Sequence, residues 1–293
     1  MERLFRDHRV DPSAEENYAI RYSSANGHVS VVERLLKDPR VDPSAKNDYA
    51  IRYSSANGHV SVVERLLKDP RVDPSVDTNY PLRLSCFHNH VAVVELLLQE
   101  PSVDPSVDDN IVIQVSTWSG NHTVVDRLLQ DARVDPSTDD NFAIRRSSRD
   151  GQISITKRLL EDARVDPSAD DNYAICHSSA NGHVSVVERL LEDARVDPSA
   201  DDNYAIRSSS ANGHVSVVER LLEDARVDPS ACNNYALHSS IENGHLLVVE
   251  RLLEDTRVNL SEYANHATLS SVADGHFFVF KRLQGNSRVI DNI

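Results

Sequence analysis

The sequence predicts an all-α fold: a helix-turn-helix solenoid of about nine stacked copies of one 31-residue unit. Three observations lead there. The segment Tyr18–Ser44 recurs unchanged as Tyr49–Ser75, and with substitutions the same unit returns every 31 residues to the end of the chain. Within each copy the apolar residues follow helical spacing. Prolines and an Asp-Pro-Ser run interrupt that spacing at the same phase of most copies. A fixed period of this size marks a small supersecondary unit that cannot bury its apolar face alone and must stack on its own copies.

The copy that begins at Asn17 gives each element in order. Asn17, like Asp48 and Asn79 after it, precedes a short helical pattern and is expected to act as the N-cap by accepting a free first-turn amide. Ile20, Ser23 and Ser24 fall at i, i+3 and i+4, which puts one apolar and two small residues on one face of a helix of about two turns. Gly27 follows where a helix ends in a left-handed turn. After His28 a second pattern runs Val31, Val32, Leu35 and Leu36, an amphipathic spacing with Glu33 and Arg34 outside. This second helix is expected to supply most of the core, at roughly 1.5–3 kcal/mol for each buried Val or Leu. Pro39 and the run from Asp42 to Ser44 then turn the chain toward the next copy.

Two recurring columns invite chemistry and are better read as structure. Serine fills the Ser23 column through Ser116, Ser178 and Ser271, where its hydroxyl can bond back to a carbonyl one turn earlier and its small volume admits a neighbouring helix. Histidine recurs at His28, His59, His90, His183, His214, His245 and His276. Once per copy is too far apart for two ligands on one zinc, which would lie about 4 Å apart. Each imidazole is expected instead to hydrogen-bond loop backbone between copies.

Composition narrows the class. Forty per cent hydrophobic and 26% charged residues describe an ordinary water-soluble chain, and no run approaches the roughly 18 apolar residues of a membrane helix. The charged start, from Met1 to Arg9, does not read as a signal or anchor. Cys86, Cys176 and Cys232 sit in different copies without metal-knuckle or disulfide-framework spacing, so a reducing, intracellular and cytoplasmic setting is expected. The net charge of −15 opposes phosphate-backbone binding and suits a basic protein surface better. The acidic pairs Asp108-Asp109, Asp139-Asp140, Asp170-Asp171 and Asp201-Asp202 before helix one also complement a helix dipole. No Gly-rich phosphate loop, paired-carboxylate site or nucleophile motif is present, so the chain is expected not to be an enzyme and to need no cofactor or metal.

The unit resembles a degenerate ankyrin repeat, whose second half, G-H-x-x-V-V-x-x-L-L, is matched without a gap by Gly27–Leu36. Of its first half, Pro81-Leu82 and Leu237-His238 survive. The resemblance covers nearly the whole chain and implies a protein-interaction scaffold. The copies are two residues shorter than the family's roughly 33. The missing residues fall where the family forms its β-hairpin finger, so a shortened or absent hairpin is expected. Ser-Ser where the family prefers Ala-Ala should loosen helix one. The variant resembles arrays of large DNA viruses and protists.

Residues 1–16 read as a partial half-repeat, 17–284 as one continuous array with copies starting near 17, 48, 79, 110, 141, 172, 203, 234 and 265, and 285–293 as a tail. In the last copy Phe277, Phe278 and Phe280 form either a hydrophobic end that lacks a neighbour or part of a cap.

In ankyrin arrays the outward side of helix one lines a concave groove. On that side Tyr22 and Tyr53 give way to Leu84, Val115 and Arg146, and Ala25 and Ala56 give way to Phe87, Trp118 and Arg149. Aromatic and arginine side chains dominate interface energetics, so Leu84, Phe87, Val115, Trp118, Arg145, Arg146 and Arg149 are the candidate patch for a protein partner. The alternative is drift, with the aromatics packed between copies. The expected partner is a protein, with no nucleic acid and no membrane, and the chain is expected to be a monomer. An adaptor subunit of a larger complex, for example in ubiquitin ligation or host modulation, or a fragment of a longer reading frame, are the alternatives.

Overall fold

The computed structural model describes residues 11–258 and 276–284. Among them are seventeen helices and no strand. The chain divides into two compact units at Asp139/Asp140. The first holds α1 (Ala14–Ala25), α2 (Val29–Leu35), α3 (Ala45–Ala56), α4 (Val60–Leu66), α5 (Val76–Phe87), α6 (Val91–Leu98), α7 (Val107–Trp118) and α8 (His122–Leu129). The second holds α9 (Thr138–Arg149, which starts just before the division), α10 (Ile153–Leu160), α11 (Ala169–Ala180), α12 (Val184–Leu191), α13 (Ala200–Ala211), α14 (Val215–Leu222), α15 (Ala231–Glu242), α16 (Leu246–Glu254) and α17 (Phe277–Gln284). Within the first unit, odd-numbered helices pack on the next odd-numbered helix and even-numbered on even; in the second, α11, α13 and α15 pack in order, as do α10, α12, α14, α16 and α17, as stacked helix pairs require. The start of the chain, helix one of the ninth copy with Ser271, and the tail 285–293 lie outside the described residues.

The core follows the predicted spacing. In the second copy Val62, Val63 and Leu66 are buried, and in the sixth Val186, Val187 and Leu190. In the first copy Val32 and Leu35 are buried while Val31 and Leu36 are half-buried. A further buried column comes from the turn itself: Val41, Val72, Val103, Val134, Val165, Val196, Val227 and Val258 all point inward. In α17, Val279 and Leu283 join the core while Phe277 and Phe278 stand exposed.

No β-hairpin forms among the described residues, and side-chain hydrogen bonds shape the connection in its place. Asp42 Oδ1 accepts from both the amide (3.0 Å) and the hydroxyl (2.6 Å) of Ser44. Asp69 binds the Arg71 guanidinium through two oxygens, and Arg71 Nη1 also donates to the Val41 carbonyl of the preceding copy at 2.7 Å. Arg133, Arg195, Arg226 and Arg257 repeat that cross-copy bond. The arginine of each pair holds the Asp38, Asp69, Asp131, Asp162, Asp193 and Asp224 carboxyls below the usual carboxylate range, to about 2 at Asp38.

The expected N-cap role of Asn17 is corrected. Three consecutive residues at the start of each helix one take left-handed backbone angles, as in Glu15, Glu16 and Asn17 (φ 50°, 56° and 61°). With Asn17 inside this turn, its Oδ1 accepts the amide of Asp42, in the connection at the end of the same copy, at 2.8 Å. Asn110, Asn141, Asn172 and Asn203 do the same. A left-handed residue costs about 1–2 kcal/mol, least at Asn and Asp, whose short polar side chains bond locally. That preference accounts for the acidic and amide composition of these positions.

The histidines behave as anticipated. His59 Nε2 donates to the Ala25 carbonyl at 3.0 Å, and His90, His183, His214, His245 and His276 make the equivalent bond. Each ring also lies against the left-handed glycine of the copy before. Gly182 has φ +77°, and a Cβ there would come within 2.6 Å of His214 Nδ1.

Serines of the Ser23 column bond back to helix carbonyls, for example Ser85 Oγ to Leu82 O at 2.8 Å and Ser116 Oγ to Val112 O at 2.6 Å. The adjacent column differs: Ser24, Ser55, Ser148, Ser179 and Ser210 are fully buried with hydroxyls that meet no partner. Other copies carry Cys86 or Ile241 there without loss of the fold.

Two substitutions in one turn are expected to have opposite signs. Ser179→Ala removes an unsatisfied buried hydroxyl and improves helix propensity, and should stabilise by about 1 kcal/mol. Gly182→Ala forces a Cβ into a left-handed position against His214, and should cost at least about 2 kcal/mol. Urea midpoints of the two variants check both.

Asp48 gives a pH-dependent case. It is 7% exposed and accepts the Asp73 amide at 2.9 Å, in the place that Asn occupies in most other copies. Burial, outweighing that hydrogen bond, raises its carboxyl above the ordinary value. A raised folded-state value favours the protonated form, so this contribution is full below the unfolded pKa and lost as pH rises through the folded one. Asp48→Asn should therefore be more stable than the parent at pH 7, with the gain shrinking as pH falls through the raised folded-state value and gone below about pH 4. Denaturation of both proteins across that range measures it.

Candidate functional site

The outward side of helix one presents one row of side chains per copy. In the first unit, Tyr18 and Tyr22 stack with ring centroids 5.5 Å apart on α1, and Tyr49 and Tyr53 at 4.1 Å on α3. On α5 the row continues with Tyr80, Leu84 and Phe87, and on α7 with Ile111, Val115 and Trp118. Leu84 and Val115 are half-buried, whereas Phe87 is 45% and Trp118 60% exposed. Neither ring is therefore packed away between copies. The backbone beneath them is held by Asn121, whose Nδ2 donates to the carbonyls of Cys86 and Phe87, both at 2.8 Å. Asn121 thus does in the fourth copy what a histidine does in most others.

Arg145, Arg146 and Arg149 lie on α9 in the second unit, and each is engaged locally. Arg145 Nε donates to the Asp140 carbonyl at 2.8 Å and Nη1 to the Asp170 carboxylate at 2.7 Å. Arg146 pairs with Asp150 one turn on. Arg149 Nε reaches Asp150 at 3.2 Å, its carbonyl accepts from Asn181 and His183, and the Tyr173 phenol first, then Asp150, raise its guanidinium value.

A second pattern escaped the sequence reading. Arg21 lies 5.9 Å from the Tyr18 ring and 5.3 Å from the Tyr49 ring of the next copy, and Arg207 lies 5.9 Å from Tyr204 and 5.6 Å from Tyr235. Both also donate twice to carbonyls of the left-handed turn, Arg21 to Glu16 O (2.9 Å) and Glu15 O (3.0 Å), Arg207 to Asp202 O and Asp201 O (both 2.9 Å). Arg52 and Arg83 sit in the same slot, each with an aspartate of the following copy, Asp77 or Asp108, 4.0 Å away. The acidic pairs before helix one are thus partly spent on the preceding arginine. The available signal was the Tyr-x-x-Arg spacing of Tyr18-Arg21, Tyr49-Arg52, Tyr80-Arg83 and Tyr204-Arg207.

None of these groups is arranged as a nucleophile. The Ser23-column hydroxyls are buried and donate to carbonyls. Burial pushes the thiols of Cys86 and Cys176 up to about 12, and all three cysteines are free. Among the described residues no cluster of three or more His, Cys, Asp or Glu could hold a metal ion, and no helix is long and apolar enough to cross a membrane. The surfaces offered are open faces with aromatic and charged side chains.

A search of curated proteins returns no match for the chain. Comparison with protein families finds Ankyrin repeats (3 copies), over residues 17–109 and 179–262. That span is more than half of the sequence and carries the repeating glycine, histidine, valine and leucine positions described above. The chain belongs to the ankyrin-repeat family.

Proposed function

We propose that the chain is a non-enzymatic protein-binding scaffold and that Leu84, Phe87, Val115 and Trp118 are the centre of its docking surface in the first unit. The observation that carries this reading is the exposure of Trp118 and Phe87 on neighbouring helices that pack side by side. An exposed tryptophan gives up a large apolar area to a partner and contributes nothing comparable to the isolated fold. The surrounding Tyr22 and Tyr53 extend the same row with rings that are apolar in body and polar at the tip. Arg145, Arg146 and Arg149 belong to the proposal as a charged group on the second unit, with Arg149 and Arg146 sharing Asp150.

Affinity purification with the intact chain, repeated with Phe87→Ala and Trp118→Ala together, tests it. The double variant should lose its partners while its urea midpoint stays within about 0.5 kcal/mol of the parent for each change, as surface substitutions do. Retained partners combined with a large loss of stability would refute the docking role.

A further inference from the structure

The guanidinium slot between successive copies is filled by this chain's own arginine at Arg21, Arg52, Arg83, Arg145 and Arg207, and by Gln114 in the fourth copy, whose Nε2 still reaches the turn carbonyl of Asp109 at 2.8 Å. In the sixth copy the position is Cys176, a side chain too short to enter. The walls of the slot are nevertheless in place. Around Arg52 stand Tyr49, Tyr53 and Tyr80, with Asp77 opposite. Four copies on, the same positions are Tyr173, His177, Tyr204 and Asp201. Tyr173 and His177 stack with centroids 3.8 Å apart, as Tyr49 and Tyr53 do at 4.1 Å, and His177 lies 5.9 Å from Tyr204. These residues line an open cleft of about 710 Å³ that also takes in Asp170, Asp171 and Asp197.

We propose that this cleft binds an arginine side chain presented by a partner protein, which takes the place that the chain's own arginine takes in the sibling copies. The chemistry is already demonstrated within the molecule. The π-faces of two or three rings attract the planar cation. The turn carbonyls, here those of Asp170 and Asp171, are the equivalents of the pair that Arg207 binds through Nε and Nη2. Asp201 is the equivalent of Asp170, which pairs with Arg145 at 2.7 Å, and no ion pair reaches Asp201 among the described residues. Lysine fits less well, because a point charge with one ammonium head cannot stack flat between rings and bond two carbonyls along one edge. Asp171, Asp197 and Asp201 around the opening, beyond the Asp170 that pairs with Arg145, would repel the α-carboxylate of free arginine, so the occupant is an arginine within a peptide chain. This goes beyond the proposed docking surface, whose aromatic centre at Phe87 and Trp118 lies in the other unit, and does not depend on it.

The test titrates the full chain with N-acetyl-arginine amide and follows the aromatic NMR signals of Tyr173, His177 and Tyr204. Saturable binding below about 50 mM is expected, with the neutral citrulline analogue and free arginine each roughly tenfold weaker or more. Cys176→Arg, the residue that five sibling copies already accommodate, should fill the cleft and abolish binding with the fold intact. Asp201→Asn should weaken binding roughly threefold to tenfold. No saturable binding, equal binding by citrulline, tighter binding by free arginine, or unchanged binding to Cys176→Arg would each overturn the proposal. Because the probe is a small molecule, these outcomes are independent of whether Trp118 and Phe87 dock a protein.

Discussion

A left-handed turn of three residues, repeated at the start of every described helix one, is the constraint on which the rest of each copy depends. It is costly for side-chain-bearing residues, and it persists because hydrogen bonds hold it at both ends. The asparagine at its end accepts the backbone amide of the aspartate 25 positions on, as Asn172 does from Asp197 at 2.7 Å. The arginine one turn later takes the carbonyls that the turn exposes, as Arg21 does from Glu15 and Glu16. The first bond ties the start of a copy to the connection at its end. Because the partner amide always lies 25 residues on, the turn explains why the unit repeats without drifting in length.

The same bonds divide each copy into residues that hold it to its neighbour and residues that are free to change. Gly27 and His59 meet ring or backbone atoms of adjacent copies, Asn17 holds the connection at the end of its own copy, and the valines are buried, so all leave little room for substitution. The outward positions after Tyr22 and Ala25 meet solvent, so they can become Leu84, Phe87 or Trp118 without disturbing a bond that the stack needs. Where a stacking residue does change, the replacement keeps the contact: Asn121 donates to the carbonyl of Phe87 in place of the histidine Nε2. Variation between copies thus separates by mechanism, and the aromatic residues Phe87 of α5 and Trp118 of α7 fall among the side chains that face solvent.

The period, the helix-two core, the glycine turn, the histidine bond and the serine back-bonds were legible because each follows from spacing within one copy. The left-handed turn was not. Asn17 ahead of a helical pattern is what an N-cap looks like, and Asn is favoured equally by a cap and by the left-handed region. What distinguishes them is the amide of Asp42, which is 25 residues away and becomes adjacent only when both helices of the copy have folded back on each other. The valine of the turn was passed over for the same reason, since Val41 has no helical partner in sequence and finds its core only in three dimensions. For the candidate patch, the sequence identified the residue types, but it could not show that Arg145 is committed to Asp140 and Asp170 while Trp118 is free.

An internally repeated structure supplies its own reference for what each position does. Side-chain length decides whether the slot between copies is closed: arginine spans it to two rings and the turn carbonyls, glutamine reaches one carbonyl as Gln114 does with Asp109, and cysteine reaches none. The lining around Cys176 keeps its carboxylates and rings even though the group they surround elsewhere is absent. Apart from Asp170, which pairs with Arg145, the carboxylates of the cleft repel one another, and aromatic rings left half-covered lose apolar burial, so the isolated chain gains little from that arrangement. A surface shaped for a guanidinium, in a chain of net charge −15, is favourable once a cation from another molecule enters it.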